Sequence, residues 1–132
     1  MEMTINFPGG KRVDAQVNGH VIRTDQAPSA GGSGSAPEPF AYFLASIGTC
    51  AGIYVLGFCQ ARNIPTEGIR LRQRIEHDQA KNRLTHVKID IELPPDFPEG
   101  YRDAVRRAAE YCAVKKAILD PPVFEITTRV SS

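Results

Sequence analysis

The sequence predicts an α+β fold, with short strands at the start, two alternating strands in the middle and two helical segments that each carry a cysteine. Three observations carry this expectation. Asn18-Gly19 sits between alternating residues, a strong signal for a two-residue hairpin turn. The run Pro39–Ala61 contains no charged residue and is long enough for six turns of helix. Residues 69–77 and 84–93 alternate apolar and polar side chains, the signature of strands with one wet face.

Taken in order, residues 3–7 and 12–23 read as strands around the turns Pro8-Gly9-Gly10 and Asn18-Gly19. The stretch DQAPSAGGSGSAPEP, from Asp25, holds too much Gly, Ser and Pro for regular structure and reads as a mobile loop, a gate over the helix that follows. That helix, PFAYFLASIGTCAGIYVLGFCQA, is apolar around its circumference and ends at Asn63-Ile64-Pro65. In the next strand Ile69, Leu71 and Ile75 share one face, with Arg70, Arg72, Arg74 and Glu76 on the other. The polar turn DQAKNR leads to Val87, Ile89, Ile91 and Leu93 facing inward. Pro94-Pro95-Asp96 introduces a second helix, with Asp96 as N-cap and Pro98 in its first turn. Tyr101, Val105, Ala108 and Cys112 recur along it at helical spacing, and Asp120-Pro121-Pro122 ends it. Phe124, Ile126 and Val130 mark a last strand.

The 132 residues suit a single domain, 1–132. Sixteen Lys and Arg against 15 Asp and Glu leave a net charge of +1, no electrostatic footprint for nucleic acid or an anionic membrane. The uncharged helix is long enough to cross a bilayer, yet its Ser, Thr, Gln and Gly lower its hydrophobicity and no basic cluster flanks it. The reading is therefore of no membrane partner, with a second copy of the chain enclosing the helix. The start, MEMTINFPGGKR, lacks signal-peptide character, so a cytoplasmic location is expected.

Three cysteines, none in a C-x-x-C pair, argue against a secreted disulfide framework. Cys50 and Cys59 lie about 180° apart around a helix, so they cannot share a metal ion, and His20, His77 and His86 are scattered over strands. No G-x-S-x-G elbow or P-loop ending is present. Core packing is one reading of Cys50 and Cys112. Redox chemistry is the other, with an attacking thiolate on one helix and a second thiol on another.

The stretch APEPFAYFLASIGTCAGIYV resembles the cysteine helix of the OsmC/Ohr family, which includes organic hydroperoxide reductases and osmotically induced protein C. AAEYCAVKKAI resembles that family's second cysteine motif, and the order of elements agrees over nearly the full chain. The resemblance implies one OsmC-like domain in an intertwined homodimer, with antiparallel or mixed sheets around a buried, Cys-bearing central helix. It implies a thiol-dependent reductase of organic hydroperoxides. Cys50 would attack the O–O bond and become a sulfenic acid, Cys112 would close a disulfide with it, and an external dithiol would reduce that disulfide. No metal, haem or flavin is needed, so no cofactor is expected.

The resemblance also implies an arginine from the first hairpin beside the reactive thiol, held by a glutamate near the start of the Cys helix. Arg12 is the preferred candidate over Lys11, because a guanidinium keeps its charge when buried. The acid's slot falls on Phe40 or Ala41, and Glu38 lies just ahead of it. This departure bears on peroxide reduction more than on the fold. It leaves an alternative: a non-catalytic OsmC-like protein that binds a small apolar ligand at the dimer interface. Cys59 reads as core.

Overall fold

The structure, a computed structural model, describes residues 1–131. Its elements are β1 (Thr4–Gly9), β2 (Arg12–Val17), β3 (His20–Thr24), α1 (Pro39–Ala61), β4 (Arg70–Asp78), β5 (Arg83–Glu92), α2 (Arg102–Ala109) and α3 (Ala113–Leu119). The chain divides into two compact units, residues 1–46 and 47–132.

In the first unit, β1, β2 and β3 form an antiparallel meander. Val17 pairs with His20 across a two-residue turn in which Asn18 and Gly19 both take positive φ, 49° and 78°. That backbone twists with the strands, which is why Asn-Gly marks it so well. Tyr42, near the start of α1, donates its hydroxyl to the Arg23 carbonyl at 2.7 Å and ties the helix to the end of β3.

The Gly/Ser loop is organised, contrary to the reading of a mobile gate. Asp25 is buried, and its carboxylate accepts from the Gln26 amide at 2.7 Å, the Ser33 hydroxyl at 2.8 Å, and the Ser35 amide and hydroxyl at 3.0 and 2.6 Å. A short 3-10 turn spans Pro28–Ala30, and Gly34 donates to the Gln26 carbonyl at 3.0 Å. At Gly32 the chain passes so near the Gln26 carbonyl that a Cβ would lie 2.0 Å from its oxygen. Composition alone indicated entropy; one ionised side chain supplies the order.

In the second unit, β4 and β5 form an antiparallel ribbon in the expected register, with Leu71 opposite Ile91 and Arg72 opposite Asp90. Ile69, Leu71, Ile91 and Leu93 pack on a core of Val55, Cys59, Ile64, Phe97 and Val105. Along α1, Ile47, Ala51, Val55 and Cys59 are buried. Spaced four apart, they make one stripe, not the all-round burial expected of an uncharged helix. The length and composition of α1 alone would let it cross a membrane, as those of many core helices would. Ile53 and Tyr54 are exposed in the single chain.

Two expectations need correcting. The second helix is not continuous. Asp96 lies in a turn and caps nothing; a 3-10 turn, Glu99–Tyr101, leads into α2, and residues 110–112 separate α2 from α3. Nor is there a last strand. Residues 121–131 have no regular structure, and Phe124, Ile126 and Val130 are exposed by 82 %, 94 % and 96 %. A strand exists only by pairing, and in the single chain this segment pairs with none.

The Asp25 carboxyl is held well below its ordinary value by hydrogen bonds from Ser35, Gln26 and Ser33, against a smaller opposing effect of burial. A carboxyl depressed on folding stabilises the loop above the unfolded value, near ~3.9, and loses that effect as pH falls through the folded value. Asp25→Ala should therefore open residues 26–36 to limited proteolysis at neutral pH. The native chain should keep its Ser35 amide protected from hydrogen exchange at pH values where ordinary carboxylates are already protonated.

Candidate active site

Cys50 lies on α1 between the buried Ile47 and Ala51, and is itself half-buried. Cys112 is buried, at 2 % exposure, but not on an apolar helical stripe. It is the N-cap of α3, with φ −51° and ψ 122°, and its sulfur accepts the Lys115 amide at 3.4 Å. Sulfur thus takes the place that a Ser or Asp oxygen usually fills at a helix start. The Cys112 thiol also lies 3.8 Å from the Ile47 carbonyl of α1, as its donor.

The break at residues 110–112 has no local cause, since the stretch 109–114 contains neither Gly nor Pro. Its effect is on the amides that follow. In an unbroken helix the N–H groups of Ala113 and Val114 would bind carbonyls four residues back. Here the amides of Val114 and Ala113, and the Cys112 side chain, favour the Cys50 thiolate. The Val114 amide is the largest of these influences. Together they hold the Cys50 thiol below its ordinary value, although burial acts in the opposite direction. Cys59 differs: burial pushes its thiol up, with only partial relief from the charge on Arg62. That is the behaviour of a core cysteine, as the sequence suggested.

A cavity of about 460 Å³ borders Cys112. Its walls are mainly aliphatic, from Ile47 and Ala51 of α1, Ile89 of β5 and Ile118 of α3, and Cys112 forms part of them. Arg106, Glu110 and Lys115 supply charge. Arg106 is engaged by Asp103 and by Glu110, each at 2.8 Å. Two residues before Cys50, at Gly48, a Cβ would come 2.5 Å from Gln73 Oε1, so the bare backbone there lets β4's side chain lie against α1.

Arg12 belongs to the other unit. It is exposed at the start of β2, and its guanidinium folds back to donate to the Gly9 and Pro8 carbonyls, each at 3.4 Å. Glu38 accepts the Ala27 amide at 3.2 Å, and among the described residues no ion pair joins it to Arg12. Within the second unit the structure brings Cys50 and Cys112 together. Among the described residues no three His, Cys, Asp or Glu side chains are grouped to hold a metal.

The family profile described as OsmC-like protein matches residues 32–127, most of the chain and both cysteines. The chain belongs to the OsmC-like family. No curated protein sequence matches this OsmC-like chain. Its fold is shared with solved structures of low sequence identity. A protein described as an osmotic stress induced and detoxification response protein, from Psychrobacter arcticus, superposes with a TM-score of 0.73 at 19% identity, over 87% of this chain and 85% of that one. An organic hydroperoxide resistance protein OsmC from Legionella pneumophila gives 0.58 at 15% identity, over 89% of each chain.

Sequence reasoning missed the OsmC-like chain's donors to Cys50, because backbone amides carry no residue-type signature. The only textual hint is small Ala113 directly after Cys112, which leaves the amide uncrowded. This offers a clean test. Ala113 is the first residue of α3 and follows an extended Cys112, so proline fits there and removes only the N–H. Ala113→Pro should raise the pH midpoint for alkylation of Cys50 by iodoacetamide, by up to about one unit, while leaving the helix intact by circular dichroism. Wild-type Cys50 should react at lower pH than Cys59 in the same assay.

Proposed function

We propose that this OsmC-like protein is a thiol-dependent reductase of organic hydroperoxides. One observation carries the reading: the main chain at the start of α3 favours the Cys50 thiolate, and a second thiol, that of Cys112, lies beside it. The thiolate attacks the distal oxygen of the peroxide, the O–O bond breaks, and the alcohol leaves after taking a proton. The sulfenic acid then lies beside a thiol. Attack by Cys112 expels water and closes the disulfide, which an external dithiol reduces. All of this proceeds without a resident cofactor. That a relative of this fold is named an organic hydroperoxide resistance protein adds support by analogy.

Arg12 has a proposed part as the cation that meets the peroxide. The working form is proposed to be a homodimer. Apolar residues exposed in the single chain support it: Ile53 and Tyr54 on α1, and Phe124, Ile126 and Val130 in the tail. The aliphatic cavity favours a second reading, a non-catalytic protein that stores a small apolar ligand.

Stopped-flow kinetics with cumene hydroperoxide should give fast oxidation of the wild type and much slower oxidation by hydrogen peroxide. Cys50→Ser should abolish both. Cys112→Ser should still be oxidised once, leaving a sulfenic acid that dimedone traps. Slow, equal rates unaffected by Cys50→Ser would favour the ligand-binding reading. Arg12→Met should lower the second-order rate by roughly tenfold to a hundredfold, with Arg12→Lys intermediate. In gel filtration with light scattering the native chain should run as a dimer, and Ile53→Glu should shift it toward monomer.

A further inference from the structure

Two cavities border α2 and α3. The one beside Cys112 takes its charged residues from Arg106, Glu110 and Lys115. The other is a cleft of about 390 Å³, and the two have no lining residue in common. Tyr54 and Phe58, one turn apart on α1, line the cleft together with Ala104 and Ala108, one turn apart on α2. Arg107 of α2, Tyr111 from the break and Lys116 of α3 complete it. We propose that this cleft binds an aromatic carboxylate, a flat ring bearing one negative charge. The proposal is separate from the cysteine pair and does not rest on the peroxidase reading.

The walls suit a ring. Three of the seven lining residues are aromatic, against 8% of the chain, so the cleft offers stacking surface well beyond the average. The two alanines carry no side chain beyond Cβ, which leaves a slot beside the aromatic groups. Phe58 is fixed in place: Tyr101 meets it edge-on at 5.8 Å and the Arg62 guanidinium covers it at 3.7 Å. Tyr54 and Tyr111 are 39 % and 61 % exposed, so apolar ring surface is left in water for a ligand to cover. The volume lies within the range of pockets that hold small molecules.

The charge suits a monoanion. No acidic residue lines the cleft, and Arg107 is compensated by Asp103 at 2.6 Å. Lys116 enters no ion pair among the described residues. Its ammonium lies 5.5 Å from the centre of the Tyr111 ring, an exposed cation–π contact of the weak kind. A carboxylate offers it a charge-assisted hydrogen bond instead, which is the stronger interaction. The one uncompensated cation thus stands beside an aromatic wall, where an acid group attached to a stacked ring would lie. In the proposed homodimer a second chain against Tyr54 would border the cleft, but Phe58, the two alanines and Lys116 all come from one chain.

Calorimetric titration of the native protein with 2-naphthoate tests this, with two matched probes beside it. 2-Naphthamide keeps the rings without the charge, and cyclohexanecarboxylate keeps the charge without the aromatic ring. Naphthoate should saturate at one per chain, and each matched probe should bind at least about tenfold more weakly. Ala108→Leu keeps a good helix former and fills the slot, so it should abolish binding. Lys116→Met, at an exposed position, should weaken naphthoate by about tenfold and leave naphthamide unchanged. Cys50→Ser should bind as the wild type does, so failure of the peroxidase reading would leave this site standing. Absence of saturable binding, as when a second chain fills the cleft, would overturn the proposal. Equal binding of the three probes, or naphthoate binding indifferent to Lys116→Met, would overturn it as well.

Discussion

The Lys115 amide gives its N–H to the Cys112 sulfur and the amides of Ala113 and Val114 favour the Cys50 thiolate, where a continuous helix would have given all three to carbonyls. The cysteine pair depends on that exchange. Interrupting a helix between Ala109 and Ala113 forgoes hydrogen bonds that would otherwise form within it, and the sulfurs are what the freed amides find. Bonding to a thiolate is charge-assisted, so the exchange strengthens as Cys50 ionises. The break and the lowered pKa of Cys50 are one interaction seen from its two ends.

For that interaction to hold, α1 must keep a fixed rotation. The stripe Ile47-Ala51-Val55-Cys59 supplies it, with Val55 and Cys59 locked against Phe97 and Val105. A residue on the fringe of a stripe is half-buried by geometry, and Cys50 is such a residue. Ile47 does double duty, since its side chain lies in the stripe and its carbonyl accepts the Cys112 thiol. In this way hydrophobic packing, which has no direction, sets a hydrogen-bond geometry that has one.

Features written in side-chain periodicity were legible in the sequence. The ribbon of β4 and β5 follows from two alternating runs, and the Asn18-Gly19 turn from the one dipeptide suited to two successive positive φ angles. The α1 bounds, Pro39–Ala61, agree with the uncharged run. The break before α3 was illegible, because EYCAVKK holds good helix formers and only tertiary contacts with α1 reward leaving the helix. The Asp25 loop was misread for the opposite reason. Its glycines and serines suggested disorder, yet Ser33 and Ser35 are there to serve a buried carboxylate, and Gly32 to let the backbone pass. The last strand was misread because Phe124, Ile126 and Val130 have strand character but no partner in one chain. Family resemblance pointed to both cysteines as a pair and to a side-chain charge for activation, whereas the main-chain amides that favour the Cys50 thiolate had no signature in the sequence.

Main-chain donors have a chemical consequence that a side-chain cation need not share. Lowering a thiol's pKa raises its thiolate fraction but also reduces the nucleophilicity of each thiolate, with a Brønsted slope of about 0.4–0.5. Deep depression would therefore serve poorly if attack were the only task. Under the proposed function the same sulfur later enters a disulfide, where a stabilised thiolate is also the better leaving group. Amides fixed at a helix start suit this dual demand, because they carry only partial charge and need no reorganisation between the two steps. Under the proposed function, Arg12, engaged by the carbonyls of its own turn, would bring a full charge to the peroxide, while partial charges on the main chain tune the sulfur.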